Sequence, residues 1–416
     1  MRKIDVIVIG AGAAGLMAAG QAAMRGASVL LLEKMEKPAR KLRITGKGRC
    51  NITNTKSWEE FEKHVFPVAR FFKPAFMNFS NSSLIDFLEN IGLPTVVERG
   101  DRVFPASQRA QDVAEVLVNW AKKQGVEIFC NTEVLRFYEE NKKIKFVEVL
   151  QNGKQQQFEA LTFIIATGGL SYPLTGSTGD GFRFAQEMGH EIISLRPSLV
   201  ALNIENPFSE LNELNLRNVL LRLWIDGNVA DEEFGELMFS ETGLEGAIVL
   251  RLSRKAVEAL SQDKKVFLEL NCKPALSEQQ VQTRLQRELA EFGNQPVIDL
   301  LRKLLPKPLA LVFIQKLNLT GKKNTSQLTA HDVKQISEML QSWKMKVIGY
   351  GGYERAVITS GGISMKDIDF KTMRSRKINN LFFAGEVLNL DADTGGYNLQ
   401  IAFSTGFLAG KSAVAE

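Results

Sequence analysis

The sequence predicts an α/β protein: a Rossmann-like domain, discontinuous in the chain and interrupted by an α+β insert. Three observations predict it. A strand–helix–strand with a glycine-rich turn opens the chain, the texture changes between 196 and 345, and strands followed by a helix of small residues return from 346. The domains are therefore 1–195 with 346–416, and an insert over 196–345 that is mostly strands to 272 and mostly helices from 273.

"KIDVIVIG" (3–10) is a short apolar run ending on glycine, which reads as a buried strand. "AAGLMAAGQAAMRG" (13–26) is rich in good helix formers and stops at Gly26, and "SVLLLEK" (28–34) is a second buried strand. Together they form a βαβ unit. Helical patterns follow in "SSLIDFLENIG" and "AQDVAEVLVNWAKKQG". Residues 126–169 read as an antiparallel meander, with turns at "EENKK" and "QNGK", that returns to a last buried strand, "LTFIIATGG". In the insert, "SLVALNIE", "VLLRLWIDG" and "KVFLELN" are strand-like. The segments "SEQQVQTRLQRELAEF", "VIDLLRKLLP", "LALVFIQKLN" and "AHDVKQISEMLQSW" are helical.

Apolar residues make up 44% of the 416-residue chain and charged residues 24%, the balance of a soluble globular protein with a large core. The longest apolar stretch is broken by glycines, so no membrane span is expected, and the N-terminus lacks a signal-peptide cleavage pattern. Cys50, Cys130 and Cys272 are far apart with no CxxC, which argues against disulfides and metal sites and for a reducing, cytoplasmic setting. A net charge of +5 permits an anionic ligand without indicating a nucleic-acid surface. Nothing sets the oligomeric state.

"GAGAAG" places Gly10, Gly12 and Gly15 at GxGxxG spacing between strand and helix. The first glycine makes the turn, the second lets backbone approach a diphosphate, and the third allows close helix packing; the helix N-terminus adds N–H groups and partial positive charge. Glu33 ends the second strand, where a carboxylate can accept from a ribose hydroxyl. Three further features favour FAD over NAD. One is the meander before "FIIATGG". The second is the strand in "INNLFFAGEVLN", which ends in Ala384-Gly385-Glu386 with a carboxylate suited to a ribityl hydroxyl. The third is "TGGYNLQIA", where Gly395 and Gly396 open a helix whose amides can face the flavin N1–C2 oxygen locus.

The loop "RITGKGRCNITN" (43–54) then acquires a purpose. Arg40, Lys41, Lys47 and Arg49 can neutralise two phosphate charges, and Gly46 and Gly48 permit close backbone approach. Asn51, Thr53 and Asn54 offer donors and acceptors for the edge of an isoalloxazine ring.

"TGKGRCNITN", "ATGGLSYPLTGSTGDGFRFAQEMGH", "FSETGLEGAIVLRLSR" and "VITSGGISMKDID", with "LFFAGEVLNLDADTGGYNLQIAFSTGFLAG", make the chain resemble, end to end, the BaiN-like family of FAD-dependent oxidoreductases. The resemblance implies a glutathione-reductase-like, three-layer ββα FAD domain interrupted by barrel-like strands plus a helical part. It implies non-covalent FAD held by Gly12, Ala14, Gly15, Glu33, Lys34, Arg40, Lys41, Gly48, Arg49, Cys50 and Asn51. Further along it adds Val134, Thr167, Gly168, Gly385, Glu386, Asn398, Leu399 and Gln400. Family members are associated with reducing conjugated ring enones and with oxidising amines. Two positions depart from the family pattern: Lys47 stands where a small residue is common, and Asn389 where an aspartate is.

No acid/base residue stands out. Tyr172 in "LSYP" and Tyr397 in "GGYN" are the proton-donor candidates, and His190 reads as structural. Cys50 lacks a partner at redox spacing and is expected to pack as a small apolar group. "LTGSTGDG" lacks GxGxxG geometry, so any NAD(P)H is expected to dock only transiently as reductant. The leading expectation is an oxidoreductase acting on a small organic substrate. A flavin-dependent RNA-modifying enzyme and a non-catalytic FAD-binding protein are the alternatives.

Overall fold

The computed structural model describes residues 4–319 and 324–414. Lys3, counted in the first strand above, and residues 320–323 of the expected insert lie outside the described residues. One compact unit runs to Pro197 and resumes at Ala356; the other is Ser198–Arg355.

The first unit is organised by five parallel strands in the order Leu381–Phe383, Lys154–Ile165, Ile4–Ile9, Val29–Leu32 and Glu127–Phe129. Ile7 sits beside Phe163 on one side and Leu30 on the other. Residues 6–9, 29–32, 163–165 and 381–383 of these strands are buried on both faces, which is why they read as unbroken apolar runs rather than alternating ones; Glu127–Phe129, at the edge, is only partly covered. The expected meander forms antiparallel ladders, Thr132–Glu140 with Lys143–Gln151 and that strand with the first half of Lys154–Ile165.

The first helix, Ala13–Ala23, packs against the last, Tyr397–Ser412. A Cβ at Gly406 would lie 2.4 Å from the Ala14 carbonyl oxygen, and one at Gly410 would lie 2.2 Å from that of Ala18. The small residues of the closing helix thus let two backbones touch. This contact fixes the C-terminal segment against the glycine-rich turn.

The second unit contains a closed barrel. Its order is Leu202–Ile204, Gly243–Glu245, Asn228–Phe239, Asn215–Ile225, Val266–Asn271 and Trp343–Tyr350, and the last strand pairs back with the first. Three features differ from the sequence reading. Ala247–Leu260 is a helix inside the stretch read as strands, and Asn228–Phe239 is a full hairpin partner that was not read. Trp343–Tyr350 is a strand, so the unit ends at Arg355 rather than 345. Pairing of Trp343–Tyr350 with Leu202–Ile204 closes the barrel, a long-range ladder with no local signal.

Candidate functional site

The glycine-rich turn is sterically determined. Gly10 has φ +97, and a Cβ there would lie 2.6 Å from the Ala166 carbonyl oxygen; a Cβ at Gly15 would lie 1.8 Å from that of Gly10. Gly12 is different. It caps the first helix at φ −81, and a side chain there would enter open space with no atom within 4 Å of its first carbon. The helix's positive end therefore borders open space, which lets an anion approach its amides.

Glu33 follows the second strand. Its Oε2 accepts from Ala11 N and its Oε1 from Met35 N, each at 2.9 Å. Burial pushes its carboxyl up, opposed by the Met35 and Ala11 amides and then by the Lys34 and Arg40 cations. Thr132 N donates to the Glu33 carbonyl at 2.9 Å, which sets Val134 two residues along the adjoining strand. Ala14 meets Gly385, whose Cβ would approach to 2.8 Å. Thr167 lies beside Gly10, and among the described residues its buried hydroxyl has no hydrogen-bond partner; Gly168 follows at φ +76. Lys34 pairs with Asp180 at 2.5 Å, and Arg40 stands 3.8 Å from Glu36.

Residues 345 positions apart then meet. Lys41 Nζ is 2.6 Å from Glu386 Oε2 and 2.6 Å from Ser171 Oγ. Glu386 Oε1 accepts from Thr359 N at 2.9 Å and Ser171 Oγ at 2.5 Å. Three donors leave this carboxylate with one acceptor position.

The loop at 43–54 reaches the opening of the last helix. Asn54 Nδ2 donates to the Gly395 carbonyl at 3.1 Å, and Thr53 Oγ1 donates to Gln400 Oε1 at 2.7 Å. The Asn51 amide, oriented to satisfy its neighbours, accepts from Gly396 N at 3.1 Å and donates to the Thr53 carbonyl at 2.9 Å. Gly396 has φ +88, and a Cβ on it would collide with the Thr53 backbone at 2.5 Å.

Several expected ligand-facing side chains are engaged within the protein. Arg49 pairs with Glu98 and Gln108 and lies over the Phe104 ring at 4.3 Å. Asn398 clasps the backbone of Ala392 at 2.7 and 2.8 Å, and Gln400 is wholly buried against Phe79, Thr53 and Ser404. Leu399 is half-buried; Gly48 has φ +85 with open space beside it. Cys50 is buried, and desolvation pushes its thiol up to about 12, which keeps it protonated at neutral pH. Tyr397 is buried, its ring between Phe61 and His64, which suits packing better than proton donation. Tyr172 is half-buried in a left-handed turn at φ 54.

One arrangement escaped the sequence reading. His64 Nδ1 lies 2.8 Å from Asp393 Oδ2, and its ring stacks on Tyr397 with centroids 4.6 Å apart. The two partners are 329 positions apart, and neither carries a local signal.

A parallel-stranded Rossmann unit with a glycine-rich turn, an acid at the second strand's end and a C-terminal segment folded back onto the first helix defines a flavin-dependent oxidoreductase. Within that class the chain belongs to the HI0933-like family: the family described as "HI0933-like protein Rossmann domain" matches residues 4–412. It is 30% identical to a ribosomal RNA dihydrouridine synthase of Escherichia coli, covering 100% of this chain and 99% of that protein. It is 27% identical to a 3-dehydro-bile acid delta(4,6)-reductase of Clostridium scindens, covering 98% of each. Among solved structures, 3-ketosteroid delta1-dehydrogenase from Sterolibacterium denitrificans superposes with a TM-score of 0.58 over 100% of both chains, at 15% identity, a likeness of fold. Among the described residues no helix is long and apolar enough to cross a membrane.

Proposed function

We propose that the protein is an FAD-dependent reductase of a C=C bond conjugated to a carbonyl, acting on a small organic enone, with NAD(P)H as a transient reductant. The observation that carries the cofactor assignment is the junction of the two chain ends, Lys41 on Glu386 and Asn51 on Gly396, beside the open cradle at Gly12. Its donor set suits an extended dinucleotide: amides at two helix starts, a carboxylate at each end and small residues where backbone must approach. The first-helix amides would hold the diphosphate, Glu33 an adenosine ribose hydroxyl, and Glu386 a ribityl hydroxyl through its remaining acceptor position. The Gly395–Gly396 turn would lie at the isoalloxazine. When bound, the flavin supplies hydride chemistry at N5. The protein's part is to orient the substrate, exclude water and deliver a proton.

The relatives' names support the substrate class. The delta(4,6) pair of double bonds in a 3-dehydro-bile acid and the C5–C6 double bond of uridine are each conjugated with a carbonyl. The whole-length likeness to the E. coli protein also supports a second reading, in which the double bond belongs to a uridine in RNA. That reading requires RNA binding that weakens steeply with salt.

Anaerobic titration with NADH and NADPH, followed by reoxidation with steroid enones, cyclohexenone or rRNA, tests these readings. Bleaching by one nicotinamide and reoxidation by an enone is the expected result. Reoxidation by rRNA alone selects the second reading, bleaching by an amine donor reverses the direction, and a flavin inert to every donor and acceptor leaves a binding protein.

Glu33→Ala should weaken FAD retention by about 1.5–3 kcal/mol, because a buried charged acceptor is removed. Isothermal titration of the apoprotein measures this, and unchanged affinity removes Glu33 from the site.

A further inference from the structure

We infer that His64, held in place by Asp393, is the acid that protonates the substrate carbon next to the carbonyl; the inference rests on the enone-reductase reading above. His64 is fixed at three points. Its Nδ1 meets Asp393 Oδ2 at 2.8 Å, its carbonyl oxygen accepts from Asp393 N at 3.1 Å, and its ring stacks on Tyr397. Tyr397 follows directly on the Gly395–Gly396 turn, which Asn51 and Asn54 join to the 43–54 loop. The histidine therefore stands at the part of the cluster assigned to the isoalloxazine.

The contrast with His190 separates a working ring from a structural one. His190 is 3% exposed, and both its nitrogens are used, Nδ1 with the Ala185 carbonyl at 3.0 Å and Nε2 with Ser375 Oγ at 2.7 Å. The His64 side chain is 29% exposed, and among the described residues its Nε2 has no partner. Asp393 fixes the ring through one nitrogen, so the other is the atom that exchanges a proton, the division of labour of a carboxylate–imidazole pair.

Hydride supplied by a reduced flavin would form a C–H bond at the substrate's β-carbon and move the displaced electron pair onto the carbonyl oxygen as an enolate. The doubly protonated His64 ring, its Nδ1–H held by Asp393, then gives its Nε2 proton to the α-carbon, which restores the C=O bond and leaves the neutral Nδ1–H ring. That ring takes a proton back from solvent. Asp393 is a positioning residue in this scheme.

The test is stopped-flow reoxidation of the anaerobically reduced holoenzyme by cyclohexenone and by androstenedione. His64→Phe keeps a ring on Tyr397 and removes only the nitrogens; it should retain FAD and slow reoxidation by about a hundredfold to ten-thousandfold. Asp393→Asn should slow it less. Nitrogen NMR of the apoprotein's three imidazoles supplies a readout without flavin. In its neutral form, the one left after Nε2 has given up its proton, His64 should be a single Nδ1–H tautomer in the wild type and a mixture in Asp393→Asn. A wild-type enzyme that neither enone reoxidises contradicts the reductase reading and takes this proposal with it. A fast wild type matched by an equally fast His64→Phe, or a mixed tautomer already in the wild type, overturns the proposal alone.

Discussion

Gly12→Asp should give a folded, colourless protein. The substitution separates stability from cofactor binding because the two effects have opposite signs. At φ −81 the backbone accepts any residue, and no atom stands within 4 Å of the new Cβ, so the fold has nothing to rearrange. The first helix lacks a side-chain cap and has no acid in its first turn, so an aspartate at the cap should stabilise the apoprotein by about 1 kcal/mol. The same carboxylate occupies the space at the helix's positive end. A like charge about 4 Å from a phosphate costs about 4 kcal/mol at an effective dielectric of 20, a loss of about a thousandfold in affinity. Visible absorbance and thermal unfolding, measured on one preparation, check both signs. A yellow Gly12→Asp protein would remove the diphosphate from this turn.

Gly396→Ala should loosen the junction between the chain ends and release the flavin. Its cost has two parts. A non-glycine residue at φ +88 is strained, and the added carbon would lie 2.5 Å from the Thr53 backbone, which cannot yield as a side-chain tip can. Together these should remove about 3 kcal/mol of stability, read from the urea midpoint. Gly26→Ala is the control: φ is +87, but the surroundings are open, so only the backbone strain of about 1 kcal/mol applies. The difference between the two variants is the collision. Because Asn51 accepts from Gly396 N, movement there also displaces the 43–54 loop, and FAD retention should fall with stability in Gly396→Ala but not in Gly26→Ala.

Much of the fold was legible where short-range chemistry decides it. The opening strand–helix–strand shows as apolar runs and glycines at fixed spacing, and the meander turns coincide with Asn141–Lys142 and Asn152–Gly153. The barrel was legible only in part. Asn228–Phe239 carries "DEEFGE" with an exposed face, so its apolar pattern is weak, and its identity as a strand comes from its neighbour Asn215–Ile225. Trp343–Tyr350 follows a helix with only Ser342 between them, and no glycine or proline marks the change.

The candidate site divides in the same way. Glycines constrained by backbone sterics stand out in a sequence, as does an acid at a strand end. Side chains that find partners hundreds of positions away do not. Lys41 and Arg49 both read as cations for phosphate, yet one is paired with Glu386 and the other with Glu98. His64 carries no local mark of a role; its partner Asp393 lies 329 positions away.

A crystal structure of the purified holoprotein decides whether both ends of the chain close around one FAD. Density is expected for one FAD per chain, with its ribose at Glu33, its diphosphate on the amides after Gly12 and its ring at Gly395–Gly396. Density that leaves the Gly12 cradle empty, or a flavin bound away from the Gly396 turn, would contradict it.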